Sequence, residues 1–287
     1  MLSTYSDVYL TTRKKLKSAG VDAYALEARL IVAAAAGKTQ QELLQDLKLY
    51  VSAEYERKVD ELVQRRLEGE PVAYITGEWE FFGLPIMVNK DVLIPRMDTE
   101  VLVEKAIDLL RGREGATRVL DLCCGSGCIG LAIAANVPGA RVTLIDNSPH
   151  ALSVARMNTL RLNLSRSISC VEADVLKEPP IRLGSYDLIV CNPPYIPSAE
   201  ILMLDSSVRD YEPWAALDGG DDGLDFYRAV TPRWKPLLRD RGCILYECGE
   251  GQAEDIAKIL HKNGFNFTAF FKDTVGTDRV VAGIIDK

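Results

Sequence analysis

The spacing of apolar residues divides the chain into two parts with different periods. Over residues 1–75, apolar positions recur at the three- and four-residue intervals of an amphipathic helix. Two such stripes are Leu26, Leu30, Ile31 and Ala34, and then Tyr55, Val59, Leu62, Val63 and Leu67. Thr39, followed three residues later by Glu42, matches a capping box and predicts the start of a further helix. We interpret both stripes as core positions and expect helical hairpins around a small core.

From about residue 116 the pattern changes to an alternation of short apolar strands and helices. The predicted strands are 118–122, 141–146, 168–172, 186–191, 242–247, 266–271 and 279–285. Helices are predicted over 128–136 and 149–162, where Ser148 is an N-cap and Pro149 takes the first helical position. This alternation indicates an α/β fold with a mostly parallel sheet covered by helices on both faces. The last two strands have a short connection, which allows only antiparallel pairing.

Residues 76–100 lie between these two parts and differ from both in their pattern of apolar and turn residues. Phe81, Phe82, Leu84 and Ile86 are apolar, and Gly83 among them favours a turn. We expect a short hairpin linker here, with the phenylalanines in its core.

Composition and charge restrict the classes of partner. The 287 residues include 34 basic and 41 acidic side chains, so the net charge is −7. Broad electrostatic binding to nucleic acid needs a basic face, which this balance disfavours, although a local basic patch stays open. No stretch approaches the ~18–20 uninterrupted apolar residues of a membrane span, and the basic residues near the N-terminus follow the apolar ones, unlike a signal peptide.

The cysteine and histidine content argues against disulfide and metal chemistry. Seven cysteines are an odd number in a long chain, so we expect a reducing compartment and a cytoplasmic protein. Only two histidines and no C-x-x-C pair are present, so we expect no metal site. We interpret Cys123, Cys124 and Cys128 as small apolar packing residues.

A glycine-rich loop follows the first strand of the alternating part. Gly125, Gly127 and Gly130 spell G-x-G-x-x-G and open a helix, and Asp146 ends the next strand, 21 residues after Gly125. This is the formal dinucleotide-binding fingerprint, in which glycines allow a close backbone approach and the acid holds a ribose diol. By itself it is also compatible with a tight strand–helix turn that binds nothing.

Three aspartates around this loop indicate which nucleotide it binds. Asp121 lies on the strand before the glycines, Asp146 ends the next strand, and Asp174 follows the third. Three acids would repel a pyrophosphate, whereas S-adenosylmethionine carries an ammonium and a sulfonium and no phosphate. We therefore expect Asp121 to act on the amino-acid or sulfonium end through its field or a water, Asp146 to bind the ribose hydroxyls, and Asp174 the adenine amino group. Any one of them could instead serve a turn or an N-cap.

The fourth strand of the alternating part runs into Asn192-Pro193-Pro194-Tyr195. Two prolines fix the backbone and lack N–H donors, so the turn presents the Pro193 carbonyl beside the Asn192 side-chain oxygen. Two rigid acceptors can hold both hydrogens of an –NH2 group and aim its nitrogen at a methyl group on the same sheet edge. Tyr195 can stack on a planar amide or base. The turn therefore predicts methyl transfer to a conjugated amino group, although a proline-rich surface turn stays possible.

Together these residues resemble class I S-adenosylmethionine-dependent methyltransferases. More narrowly, the chain is similar to the protein-(glutamine-N5) methyltransferases of the PrmC/HemK type, which modify peptide chain release factors. The resemblance spans nearly the whole chain. Its motifs are 73–78 (AYITGE), 93–100 (LIPRMDTE), the glycine loop, 146–149 (DNSP), 192–196 (NPPYI), 212–213 (EP) and 219–224 (GGDDGL).

The resemblance implies a fold, a domain organisation and an activity. The fold is a Rossmann-like class I methyltransferase sheet, mostly parallel with an antiparallel last strand, plus a small all-helical N-terminal domain. Its domains are a helical substrate-docking domain over 1–75, the hairpin linker over 76–100 and the methyltransferase domain over 101–287. The implied activity is transfer of a methyl group from S-adenosylmethionine to the side-chain amide of the glutamine in the Gly-Gly-Gln motif of release factors. We expect a monomer that binds neither nucleic acid nor membranes.

The resemblance also implies the roles of site residues. Besides Asp121, the residues expected to line the cofactor are Cys123, Cys124, Gly125, Ser126, Gly127, Asp146, Asp174, Val175 and Asn192. The residues expected to hold the glutamine are Asn192, Pro193, Pro194 and Tyr195, of which Asn192, Pro193 and Tyr195 are expected to be catalytic.

Two positions depart from the family pattern. The family usually has glycine where this chain has Cys123, and proline where this chain has Met97. Cysteine fits the first position only if the backbone there does not need a positive φ. The property that this departure could change is the affinity for the cofactor. Arg96 is compatible with a substrate contact, a contact with the Glu100 region or a structural ion pair. Glu247, at the end of the fifth strand, could satisfy a turn or line the cleft.

Other functions remain open on sequence alone. An N6-adenine or other nucleic-acid amino methyltransferase would use the same Asn-Pro-Pro-Tyr turn. A nicotinamide-dependent oxidoreductase fits the glycines but not the three acids, and a catalytically idle binding module would not need Asn192.

Overall fold

The computed structural model describes residues 3–111 and 115–285, and the chain divides into two compact units. The first unit comprises Met1–Glu78 and Asp205–Tyr211, and the second comprises Trp79–Leu204 and Glu212–Lys287. None of the described helices combines the length and the apolar composition needed to traverse a lipid bilayer.

The first unit is helical, as the apolar stripes predict. Its helices are α1 (Tyr5–Ser18), α2 (Tyr24–Ala36), α3 (Gln40–Gln45), α4 (Ala53–Leu67), α5 (Val72–Thr76) and, from the later segment, α9 (Ser206–Arg209). The predicted capping box is confirmed, because the Thr39 side chain accepts from the Glu42 N–H while the Glu42 carboxylate accepts from the Thr39 N–H. A second box, of Thr4 and Asp7, begins α1.

The core of the first unit differs in part from the predicted stripes. Helix α2 contacts α1, α3, α4 and α5, and it buries Ala28 and Ile31 completely. Leu26 and Leu67 are each 41% exposed, so the prediction that they are core residues was wrong. Small alanines let α2 approach several helices closely, and the buried face therefore follows the alanines and not only the largest side chains.

The second unit contains a two-stranded hairpin and a seven-stranded sheet. The strands are β1 (Glu78–Phe81), β2 (Leu84–Met87), β3 (Arg118–Leu122), β4 (Arg141–Asp146), β5 (Ile168–Glu172), β6 (Tyr186–Cys191), β7 (Leu238–Glu247), β8 (Phe267–Lys272) and β9 (Asp278–Ile284). Strands β1 and β2 form the predicted hairpin, and Phe81 is buried. Four strands of the large sheet, β3 to β6, match the predicted bounds, whereas β7 begins earlier than predicted.

The sheet has the order β5-β4-β3-β6-β7-β9-β8. Strands β5, β4, β3, β6 and β7 are parallel, and β9 is antiparallel to both β7 and β8. The helices of this unit are α6 (Glu100–Leu110), α7 (Cys128–Asn136), α8 (Pro149–Arg161), α10 (Asp225–Trp234) and α11 (Ala253–Lys262). The strand order reverses at β3, whose neighbours are β4 on one side and β6 on the other. The carboxyl ends of these strands form the crevice in which open α/β sheets bind ligands.

Candidate active site

A cavity of about 180 Å³ lies at the carboxyl ends of β3, β4 and β6, entirely within the second unit. Eight of the residues predicted for the site line it: Cys123, Cys124, Gly125, Ser126, Asp146, Val175, Asn192 and Pro194. Five others do not line it: Asp121, Gly127, Asp174, Pro193 and Tyr195. The sequence motifs therefore come together as predicted, while several individual side chains take other positions.

The glycine loop is fixed to the end of β4 by backbone donors. The Gly125 N–H donates to Asp146 Oδ2 over 2.9 Å, and the Cys124 N–H donates to the Ile145 carbonyl over 2.9 Å. Asp146 Oδ1 accepts from the Ser148 N–H, also over 2.9 Å, and Ser148 caps α8 as predicted. With the Asn147 N–H as a third backbone donor, the Asp146 carboxylate, which has about four lone-pair sites, keeps one of them for a ligand in the cavity.

The three glycines have different physical roles. Gly125 has a φ of +53° and no atom within 4 Å of where a Cβ would lie, so its bare backbone leaves room on the cavity side. A Cβ on Gly130 would lie 2.4 Å from Leu144 Cδ2, and one on Gly127 would lie 3.0 Å from Leu144 Cδ1. These two glycines therefore permit close packing of α7 on the sheet.

Cys123 has a φ of +56°, in the left-handed region. Cysteine was expected to fit this position only if the backbone φ is not positive, and this condition is not met. A left-handed conformation costs a non-glycine residue roughly 1–2 kcal/mol. The loop holds this strain at the wall of the cavity, where glycine would be free of it. The other departure, Met97, is 82% exposed and does not line the cavity.

Asp121 lies behind the loop and does not reach the cavity. Its side chain is fully buried, its Oδ2 accepts from the Gly130 N–H over 2.9 Å, and its Oδ1 has no hydrogen-bond partner within the described chain. Burial raises the pKa of Asp121 to about 8; the Gly130 hydrogen bond opposes this shift and the Asp146 charge adds to it. The structure places Asp121 as a support for the start of α7, outside the cavity wall.

The other two aspartates differ from each other in placement. Asp146 lines the cavity, and burial raises its pKa although three backbone N–H groups oppose the shift. Asp174 does not line the cavity: it accepts from the Leu176 N–H over 3.0 Å and pairs with Lys177 at 3.2 Å. In this region it is Val175 that faces the cavity.

The Asn-Pro-Pro-Tyr turn follows β6 and supplies Asn192 and Pro194 to the cavity wall. Asn192 Nδ2 donates to Thr99 Oγ1 over 3.4 Å, and no hydrogen bond within the described residues is made to the Pro193 carbonyl. Tyr195 directs its hydroxyl to Glu247 Oε1, 3.5 Å away, and not to the cavity. Because Tyr195 does not line the cavity here, its stacking on the substrate stays a prediction.

A second glycine segment packs against this turn. A Cβ on Gly223 would lie 2.2 Å from the Tyr195 carbonyl oxygen, and one on Gly219 would lie 2.7 Å from Tyr195 Cα. The Gln252 side chain also donates to the Tyr195 carbonyl, over 2.8 Å. This backbone contact explains the Gly-Gly-x-x-Gly run, which sequence reasoning noted only as part of the resemblance.

Arg96, left open between three roles, forms an ion pair with Glu212. The two side chains are hydrogen-bonded, and the Glu212 carboxylate, 1% exposed, also accepts from the Ile94 N–H over 3.1 Å. Glu100 instead accepts from the Phe82 N–H over 2.7 Å. Arg96 also lines the cavity, so its guanidinium is held there with its charge compensated.

The charges of the cavity wall indicate what kind of ligand fits. The charged residues that line it are Asp91, Arg96 and Asp146, and Glu212 compensates Arg96. The wall is therefore net acidic, which disfavours a pyrophosphate and suits S-adenosylmethionine, whose sulfonium and ammonium are cationic. The lone pair that Asp146 keeps free suits a ribose hydroxyl. The residues present fit this methyl donor.

Within the described ranges, no group of three or more histidine, cysteine, aspartate or glutamate side chains is arranged to hold a metal ion. Cys124 and Cys128 are buried, and all seven cysteines are free thiols.

An open sheet of this order, with a glycine loop and an acid at its switch point, defines a class I S-adenosylmethionine-dependent methyltransferase. A methyltransferase from Pyrococcus furiosus shares the fold, with a TM-score of 0.52 at 19% identity over 78% of this chain and 98% of that one. The family described as the methyltransferase small domain matches residues 97–203, and the one described as the PrmC N-terminal domain matches residues 7–77.

Relatives that align with nearly the full length of the chain show which family it belongs to. The release factor glutamine methyltransferase of Geobacter sulfurreducens is 41% identical, covering 96% of this chain and 94% of the relative. That of Caulobacter vibrioides is 36% identical, covering 99% and 97%. The chain belongs to the release factor glutamine methyltransferase family.

Proposed function

We propose that the protein transfers a methyl group from S-adenosylmethionine to the side-chain amide nitrogen of the glutamine in the Gly-Gly-Gln motif of peptide chain release factors. The proposal rests on one observation: the Asn-Pro-Pro-Tyr turn after β6 and the glycine loop with Asp146 line the same cavity. A bound methyl donor and a substrate amide would therefore meet there. The resemblance noted from the sequence supplies the identity of the glutamine.

The donor would be held by the loop after β3 and by the end of β4. When bound, S-adenosylmethionine supplies a methyl group on a positively charged sulfur. Asp146 would accept a hydrogen bond from a ribose hydroxyl, the backbone of Cys124, Gly125 and Ser126 would line one side, and Val175 would pack on the adenine. Asp121 would support the loop from behind through Gly130 and contribute its field.

The substrate amide would be oriented by two acceptors. Asn192 Oδ1 and the Pro193 carbonyl would each accept one hydrogen of the glutamine –NH2 group, which fixes the direction of its nitrogen. A carboxamide nitrogen is a poor nucleophile because its lone pair is delocalised, so orientation supplies much of the rate enhancement. As positive charge develops on this nitrogen, both hydrogen bonds strengthen, which stabilises the transition state selectively. The proton can leave after transfer, so no strong base at the cavity is required.

A direct assay tests this function. The purified enzyme is incubated with labelled S-adenosylmethionine and an unmodified release factor, beside a factor whose Gly-Gly-Gln motif is changed to Gly-Gly-Ala. Label on the first factor and none on the second supports the proposal. Label on both would place the target at another residue. No label on either, with donor binding shown by calorimetry, would contradict it and favour an N6-adenine or other nucleic-acid amino methyltransferase, which nucleic-acid substrates in the same assay would detect.

The remaining expectations belong to the same proposal. We infer a cytoplasmic enzyme that acts as a monomer on a protein substrate without nucleic acid, consistent with the net charge of −7. Light scattering of the purified protein would give a mass near 31.7 kDa for a monomer and twice that for a dimer.

A further inference from the structure

A single buried side chain, that of Asn158, connects two of the segments that form the cavity. Asn158 lies on α8, is fully buried and does not itself line the cavity. Its Oδ1 accepts from the Met87 N–H over 2.7 Å. Its Nδ2 donates to the Met87 carbonyl over 3.0 Å and to the Ser126 carbonyl over 2.9 Å. One carboxamide is therefore bonded to β2 and to the glycine loop at the same time.

The three hydrogen bonds match what a carboxamide offers. The backbone groups around Asn158 present one N–H donor and two carbonyl acceptors. A carboxamide supplies one accepting oxygen and two N–H hydrogens, whereas a carboxylate only accepts and a hydroxyl has a single hydrogen. The pattern also fixes the orientation of the side chain, since rotation by half a turn would place its oxygen against a carbonyl. Asn158 is thus fully satisfied in a place where neither an acid nor a hydroxyl would be.

The first connected segment leads from β2 into the lining of the cavity. Strand β2 ends at Met87, and Asp91 and Val92 line the cavity shortly after it. A turn holds the chain between them: the Asp91 N–H donates to Asn89 Oδ1 over 3.0 Å, and the Val92 N–H donates to the Asn89 carbonyl over 3.1 Å. Val92 is also buried. This short segment has little freedom of its own, so the position of Met87 sets that of the lining residues after it.

The second connected segment is the glycine loop. Ser126 lies between Gly125 and Gly127, whose φ values are +53° and +80°. Because glycine has more backbone freedom than other residues, a loop of this kind needs outside contacts to keep one conformation. Asp146 holds the Gly125 N–H, and Asn158 holds the Ser126 carbonyl. Ser126 is buried and lines the cavity, so its position bears directly on the space left for a ligand.

We propose that Asn158 is a positioning residue for the methyl donor, which keeps the 91–96 segment and the glycine loop at the separation that S-adenosylmethionine needs. Asn158 acts through the backbone of Met87 and Ser126 and contacts no reacting group. A spacing that exists before binding lowers the cost of binding, because the two segments need not be ordered at that moment. The inference rests on the proposed function only in placing the donor in this cavity.

Two substitutions at Asn158 test the inference through donor binding. Asn158→Asp keeps the shape and the acceptor for the Met87 N–H, but it replaces the two N–H donors by an oxygen that faces two carbonyls. Asn158→Ala removes all three hydrogen bonds and leaves room for water. If the binding-competent spacing is then populated only about a tenth of the time, Kd for S-adenosylmethionine rises about 10-fold, which calorimetry measures. At saturating donor, kcat should stay within about threefold of native, because saturation restores the competent spacing.

Thr159→Val is a matched control. Thr159 is the next residue on α8, is also buried and does not line the cavity. Its hydroxyl donates to the Ala155 carbonyl over 2.8 Å within the same helix, so the substitution removes a buried hydrogen bond but none to β2 or the glycine loop. Kd for the donor should stay within about twofold of native. Native Kd in an Asn158 variant that urea denaturation shows to be folded, or an equal rise in Thr159→Val, would overturn the inference.

Hydrogen exchange in the native protein provides a test that needs neither a variant at Asn158 nor a release factor. After labelling with ¹⁵N-methionine, the Met87 amide is identified by its loss in Met87→Leu. If opening of the Asn158–Met87 bonds is incompatible with donor binding, S-adenosylmethionine at about ten times its Kd should slow exchange of this amide about 10-fold, by mass action. The Met203 amide, which donates to the Glu200 carbonyl away from the cavity, should not respond. Exchange at Met87 that is the same with and without donor would overturn the inference.

These measurements separate the inference from the proposed function, because Kd and exchange are measured with the donor alone. A raised Kd and donor-dependent exchange, with no methylation of release factor, would support the positioning by Asn158 and count against the proposed function. Methylation of release factor, with native Kd in the Asn158 variants and no response of Met87 exchange, would overturn the positioning by Asn158 and leave the proposed function in place.

Discussion

Asn192 offers a single change that separates binding of the methyl donor from methyl transfer. Asn192→Ala removes one of the two acceptors that would orient the amide, while the loop and Asp146 that would hold the donor are untouched. We expect turnover of release factor to be lost and the Kd for S-adenosylmethionine to change by no more than a few fold. Radiolabel transfer and calorimetry measure the two quantities.

Asp146→Ala is the complementary control, since its carboxylate faces the donor. It should weaken donor binding by ~1–3 kcal/mol, the value of a charged hydrogen bond. If Asn192→Ala retained full turnover, or if it weakened donor binding as much as Asp146→Ala does, the assignment of Asn192 to the substrate amide would be wrong.

Cys123 allows a test of backbone strain at the cavity wall. Because its φ is +56°, a β-branched residue is expected to fit worse than any other at this position, and glycine best. We expect Cys123→Val to unfold with a free energy ~1–2 kcal/mol below that of Cys123→Gly. Cys123→Gly should bind S-adenosylmethionine at least as tightly as the native enzyme.

Urea denaturation followed by circular dichroism gives the two free energies, and calorimetry gives the Kd values. Equal stability of the valine and glycine variants would show that this backbone carries no strain. Weaker donor binding by Cys123→Gly would instead show that the thiol contributes to the site.

Helix α7 and strand β4 approach each other more closely than side chains normally allow, and Gly130 is the reason. A Cβ here would lie 2.4 Å from Leu144 Cδ2 and 2.9 Å from Asp121 Oδ2. Gly130→Ala should therefore lower the free energy of unfolding by ~1–3 kcal/mol, the usual cost of overpacking, in spite of alanine's higher helix propensity.

Gly139→Ala is a suitable comparison for Gly130→Ala. Its φ is +83° and no atom lies within 4 Å of the added Cβ, so it introduces backbone strain without steric overlap. It should leave donor binding unchanged, whereas Gly130→Ala should weaken it, because the Gly130 N–H connects α7 to Asp121. Equal effects of the two substitutions on stability and on donor binding would contradict the packing argument.

Strand and helix positions were predictable because their signals are local. The apolar runs of β3, β4 and β6 and the cap at Ser148 depend on neighbours in sequence, and their predicted bounds agree with the structure. The meeting of the glycine loop with the Asn192 turn was also predictable, because parallel strands bring their carboxyl ends to one edge.

Contacts between distant segments were not predictable in the same way. Nothing local indicates that Arg96 pairs with Glu212, 116 positions later, or that Thr99 contacts Asn192, 93 positions later. Asp121 and Tyr195 point away from the cavity for the same reason: their direction is set by partners on other elements, Gly130 N–H and Glu247. The assignment of Asp205–Tyr211 to the first unit likewise depends on tertiary contacts.

The protein as a whole should lose stability as the pH rises from about 5 to 8, because buried acids in the second unit hold protons that the unfolded chain releases. Burial raises the pKa of Asp121 from 3.8 to about 8 and that of Glu247 from 4.5 to about 7. Asp146 shifts in the same direction. Between the unfolded and folded pKa values the folded state binds more protons, so the free energy of unfolding falls with rising pH.

Acids whose pKa is lowered in the folded state make the free energy of unfolding rise with pH, but they titrate below pH 5. Examples are Asp7, Asp218 and Asp222, whose hydrogen bonds hold the pKa under the ordinary value of 3.8. Their contribution is complete by pH 5 and constant above it. The slope between pH 5 and 8 therefore reports mainly the buried acids at the carboxyl edge of the sheet.

Urea denaturation at pH 5, 6, 7 and 8 and constant ionic strength measures this slope. We expect a total fall on the order of 2 kcal/mol, less than the full shifts imply at 1.36 kcal/mol per pKa unit, because buried sites relax and admit water. Asp121→Asn keeps an acceptor for the Gly130 N–H but cannot ionise, so its slope should be shallower and its stability relative to the native protein should rise with pH. A stability that increases toward pH 8, or a slope that Asp121→Asn leaves unchanged, would show that Asp121 is ionised in the folded enzyme at neutral pH. In that case its full charge, and not a neutral carboxyl, would lie behind the glycine loop and attract the cationic donor.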